Sequence, residues 1–88
     1  MKTKEISRNG ETIKIEFLAE DNLEHTMVFE DIYSAISVHA AMVALGLCDR
    51  FENWALNNEE MDFETYLAVI DYWKSDLETA KRIVKMSA

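Results

Sequence analysis

Apolar and polar residues alternate with a period of two through the first thirty positions, which is the spacing of half-buried strands. The strongest local signal is Asn9-Gly10, two residues that tolerate the positive φ a tight hairpin turn requires. A two-residue turn there pairs Arg8 with Glu11, Ser7 with Thr12, Ile6 with Ile13 and Glu5 with Lys14. Two of those pairs are opposite charges and one is aliphatic, the combinations that cross-strand packing favours. Ile6, Ile13, Ile15 and Phe17 then share one face, and Glu5, Lys14 and Glu16 the other. A third strand is predicted over 23–29, with Leu23, His25, Met27 and Phe29 alternating against Glu24, Thr26 and Val28. A three-residue loop, Glu20-Asp21-Asn22, keeps odd positions opposite odd ones, so that Phe17 meets His25, Ile15 meets Met27 and Ile13 meets Phe29.

At Glu30-Asp31 the period changes to that of a helix. Ile32, Ile36, Val43 and Leu47 step at helical spacing, Ala35, Ala40, Ala41 and Ala44 permit close approach, and Gly46 is a natural stop. A short helix is expected from Arg50 to Leu56, capped by Asp49 and ended by Asn57 and Asn58. The last element reads as one helix over 63–85, capped by Asp62, about 35 Å long at 1.5 Å per residue. Ser75-Asp76-Leu77-Glu78 resembles a capping box, so a break at Lys74 is the alternative. The expected fold is α+β, a single domain over 1–88. A three-stranded antiparallel meander (1–30) is followed by helices packed on one face (31–88). Its expected core is Ile13, Ile15, Phe17, Met27, Phe29, Ile36, Val43, Leu67, Ile70 and Leu77.

Charge changes the picture more than composition does. The net charge is −8, and it is unevenly spread. Thirteen acids and one base, Arg50, fall between positions 16 and 71, whereas both ends carry a small excess of Lys and Arg. A general nucleic-acid binder needs a positive footprint, and an anionic membrane surface repels this chain, so neither direct nucleic acid nor membrane binding is expected. The single cysteine, Cys48, and a start without an apolar run point to a reducing, cytoplasmic setting, the host cell's if the chain is phage-encoded.

Few residues suggest chemistry. His39 has Ala35, Ile36, Met42 and Val43 as its helical neighbours, His25 lies on a strand beside Phe17, and Cys48 reads as a buried small apolar residue. The three have no metal-ligand spacing, and the serines lack a glycine-flanked elbow. Two glycines in the chain leave no phosphate-cradling loop. No catalytic residue, metal ligand or cofactor is assigned, and the chain is not expected to be an enzyme. Some of the charge has a local purpose: Glu59, Glu60, Asp62 and Glu64 suit a helix N-terminus, and Lys81, Arg82 and Lys85 its other end. Glu16, Glu20, Asp21 and Glu24 are not explained that way.

In size and acidity the chain resembles small accessory proteins of phages and mobile elements: inhibitors of restriction or CRISPR systems, antitoxins and transcription modulators. The resemblance rests on no motif, so it assigns no residue a role. It implies an inhibitor or regulator whose acidic surface, DNA-mimic in type, occupies the basic nucleic-acid-binding surface of a protein partner. The residues expected at that interface are Glu20, Asp21 and Glu24 in one cluster, Glu59, Glu60, Asp62 and Glu64 in another, and Trp54 as an aromatic anchor. The alternative is a homodimer, scaffold or small-ligand module built on the aromatic-rich C-terminal helix, with Phe63, Tyr66, Tyr72 and Trp73.

Overall fold

A computed structural model describes residues 2–18, 23–50 and 63–87, apart from the side chain of Lys4. The elements are β1 (Lys2–Asn9), β2 (Thr12–Leu18), β3 (Glu24–Phe29), α1 (Ile32–Ala44), α2 (Phe63–Lys74) and α3 (Leu77–Ser87). The chain is an α+β fold, an antiparallel sheet followed by helices, and among the described residues the sheet order is β1-β2-β3. The loop at Glu20-Asp21-Asn22 and the helix expected over 50–56 lie outside the described residues, except for Arg50.

The first hairpin is built two residues out of the expected register. Asn9 pairs with Thr12, Ser7 with Lys14 and Ile6 with Ile15. Gly10, at φ +65°, and Glu11 therefore form the turn, with glycine at the first central position rather than the second. The expected Arg8–Glu11 and Glu5–Lys14 pairs do not form; Arg8 lies opposite Ile13 and Glu5 opposite Glu16. Because the slide is an even number of residues, each side chain keeps its face, and Ile6 still joins the core. Lys14 reaches Glu16 at 3.5 Å, which offsets part of the repulsion between the facing glutamates. The second hairpin has the expected register, with Ile13 against Phe29, Ile15 against Met27 and Phe17 against His25.

Near its start, β1 carries a bulge. Glu5 pairs with Glu16 but Thr3 pairs with Phe17, which leaves Lys4 as an extra residue. An extra residue inverts the alternation beyond it. Thr3 thus lies on the same face as Ile6, toward the helices, although the simple alternation puts it outside.

Asp31 caps α1, its carboxylate accepting from the Ser34 amide at 2.8 Å and from the Ser34 hydroxyl at 3.1 Å. Gly46, at φ +75°, ends the helix in a Schellman arrangement. Its amide donates to Val43 O, and the Leu47 amide donates to Met42 O. Between these caps α1 is buried almost all round, as a helix at the centre of a fold must be. It packs on β2 and β3 and also on α2 and α3. The alanines at 35, 40 and 41 are fully covered, which is what lets neighbouring elements approach so closely.

The 63–85 helix is broken. α2 stops at Lys74 and α3 starts at Leu77. The cap is Asp76 rather than Ser75. Its carboxylate accepts from the Thr79 hydroxyl at 2.8 Å and the Thr79 amide at 3.3 Å, and its carbonyl accepts the Ala80 amide. Ser75 serves the other helix, donating to Tyr72 O at 2.6 Å. The break resets the phase of the apolar stripe. Ala80 is buried, with Ile83 and Val84 packed beside it, while Leu77 is 42 % exposed and is not a core residue. Of the other expected core positions, Ile13, Ile15, Phe17, Phe29, Ile36 and Ile70 are buried, and Met27, Val43 and Leu67 are partly buried against them.

Candidate functional site

The sheet, α1 and α2 meet at His39. It is 0 % exposed, and its partners come from four separate stretches of chain. The bulged Thr3 places its hydroxyl 2.9 Å from Nε2, and Tyr66, from α2, places its own 2.9 Å from Nδ1. Cys48 Sγ lies 3.9 Å from Nε2. Phe17 stacks on the ring at 6.2 Å with an interplanar angle of 14°, and Tyr66 tilts against it at 5.7 Å. Hydroxyls both donate and accept, so either neutral tautomer of the imidazole bonds to Thr3 and Tyr66 together. Burial pushes the His39 imidazole down to about 4.

Cys48 beside a histidine invites comparison with a nucleophilic pair. Such a pair needs a stabilised thiolate and a protonated imidazole. Here burial pushes the Cys48 thiol up to about 11, only partly opposed by a hydrogen bond from Thr3. Both groups are therefore neutral near pH 7, and both are enclosed. The arrangement ties a strand to two helices through hydrogen bonds. His25, by contrast, is exposed on β3. Among the described residues, no three His, Cys, Asp or Glu side chains gather to hold a metal ion.

In the sequence His39 has apolar helical neighbours and no metal-ligand spacing with His25 and Cys48. Its partners lie 36, 27 and 9 positions away, and one faces inward only because of the bulge. A histidine amid the apolar and alanine positions of α1 was the one available signal.

The expected interface residues divide sharply. Glu24 is exposed at the start of β3 and Glu64 is exposed in the first turn of α2. Glu20, Asp21, Trp54, Glu59, Glu60 and Asp62 lie outside the described residues, as does any convergence of the two clusters. Of the other acids between 16 and 71, Glu30, Asp31, Asp49 and Asp71 are exposed, Glu16 is half-buried, and Glu52 lies outside the described residues.

The aromatic helix read from the sequence as a dimer face or pocket borders a depression. A shallow groove of about 390 Å³ is lined by Ser37 of α1 and by Thr65, Ala68, Val69, Tyr72 and Trp73 of α2. Tyr72 stands 61 % exposed and packs edge-on against Trp73 at 5.1 Å. Trp73 is itself buried, and its Nε1–H has no acceptor among the described residues.

No family model, curated protein or solved structure matches the chain.

Proposed function

We propose that this protein is a binding regulator, in type an inhibitor, whose acidic surface engages a basic, nucleic-acid-binding surface on a partner protein. The observation that carries the reading is the placement of the central acids: Glu24, Glu30, Asp31, Asp49, Glu64 and Asp71 are all exposed. A surface of one sign raises the encounter rate with a surface of the other and repels nucleic acid itself. The neutral, enclosed state of His39 and Cys48 supports a binding role over an enzymatic one. Among the described residues no helix is long and apolar enough to cross a membrane.

The test starts with recovery of a partner by pull-down, followed by binding kinetics for two charge reversals. One replaces Glu20, Asp21 and Glu24 with Lys, the other Glu59, Glu60 and Glu64. Each reversal slows association, and a circular dichroism spectrum and melt of each variant show that the domain stays folded. A partner without a basic surface, or one indifferent to both reversals, ends this reading.

A second reading, a homo-oligomer or ligand module on the C-terminal aromatic helix, draws support from the exposed Tyr72 and the groove beside it. Its signature is a mass by light scattering that rises with concentration.

A further inference from the structure

The groove lining on α1 and α2 carries no charge, but helical spacing sets two acids of α2 next to it. Glu64, Ala68 and Asp71 follow one another at i, i+4 and i+7, so both carboxylates lie on the side of α2 that lines the groove through Ala68, and both are exposed. On α1, Ser37 lines the groove, and Tyr33, one turn before it on the same side of the helix though not in the lining, is 54 % exposed. An apolar trough between two helices is the shape that receives a third helix, and exposed tyrosines are good contact surface for apolar and guanidinium groups alike. We infer that this groove is the docking seat for a cationic amphipathic helix of a partner protein. Its apolar side chains would enter beside Ala68 and Tyr72, and its Arg or Lys side chains would meet Glu64 and Asp71. The inference rests on the acidic-binder reading and gives it a location. Charge complementarity selects this occupant. A second copy fits less well: the chain's own basic helix, α3, has its apolar side, Ala80, Ile83 and Val84, already turned into the core.

The probe is a capped synthetic peptide with Leu and Arg at helical spacing, titrated into the full isotope-labelled chain. A matched peptide with Glu in place of Arg is the control. The expected result is saturable shifts at Ala68, Tyr72 and the Trp73 indole N–H with the Arg peptide and none with the Glu peptide. Ala68→Arg puts a charge into the seat and should weaken binding by about tenfold or more. Tyr72→Ala should weaken it as well, which covers the case of an Ala68→Arg chain that does not fold. The double reversal Glu64→Lys, Asp71→Lys should also weaken binding, and Glu11→Lys, exposed in the β1–β2 turn, should not. Several results overturn the groove: shifts scattered over the acidic surface, equal losses from every acid reversal, equal binding of the two peptides, no binding, or a concentration-dependent dimer that Ala68→Arg abolishes. A recovered basic partner whose binding depends on salt but not on Ala68 or Tyr72 overturns the groove and leaves the acidic-binder reading standing. A partner indifferent to salt and to every acid reversal ends both.

Discussion

A proton on the His39 ring would be buried among neutral groups: the hydroxyls of Thr3 and Tyr66 and the thiol of Cys48. The unfolded chain takes up that proton near 6.5, whereas the folded chain resists it until about 4. Between those values the unfolded state holds more protons, so stability falls as pH drops through the window. The full loss is roughly 3 kcal/mol once pH reaches the folded value. Above the window, His39 contributes no pH dependence. Denaturant melts at several pH values check this. His39→Gln keeps a polar side chain that does not titrate, so its stability should fall less steeply between about pH 6.5 and 4 than that of the wild type. Parallel slopes would mean that the ring is not held neutral. Cys48 acts at the other extreme. Its thiol is raised from 9.0 to about 11, so stability is lost as pH rises through that range, and Cys48→Ala should flatten the alkaline limb of the same curves.

At the scale of elements, caps decide where chains of apolar residues are cut. Asp76→Ala should cost about 1 kcal/mol by removing the acceptor for Thr79, while Ser75→Ala, in an exposed position, should cost less. Denaturant midpoints for the two variants give the ranking, and a larger loss at Ser75 would contradict the placement of the cap. The sequence reads as one helix over 63–85 with a break at Lys74 as the alternative, and does not say which residue performs which task. Neighbouring Ser and Asp are both good caps, and only the direction of the next helix chooses between them. The first hairpin was legible in the same partial way. Asn9-Gly10 marks the reversal, yet glycine satisfies the turn at either central position, so the register was open by two residues while the faces were not. The bulge at Lys4 left no signal at all. Its purpose becomes visible only with His39 in place, because it brings Thr3 to the inner face.

The whole molecule is organised around α1, with the sheet against it and α2 and α3 packed on it as well. Ile15 on the sheet and Ile70 on α2 belong to one continuous core. Truncating either to alanine should cost about 2–5 kcal/mol, and losses below about 0.5 kcal/mol at both sites would contradict that core. Fold class and core were readable in the sequence because alternation and helical stepping report burial directly. The acidic interface was readable only as a list of residues, since charge along a chain does not say which carboxylates share a surface. Only one wall of the groove, the aromatic helix, was readable: Ser37 and Tyr72 lie on different helices, and only tertiary packing brings them to one trough. The proposed function has surface charge driving recognition of a basic partner. It is tested most directly by the association rate of the wild-type chain with its recovered partner across about 50–500 mM salt, over which the screening length shortens several-fold. A charge-driven association rate should fall by about tenfold or more across that series while the dissociation rate changes little. An association rate that is flat with salt would contradict it.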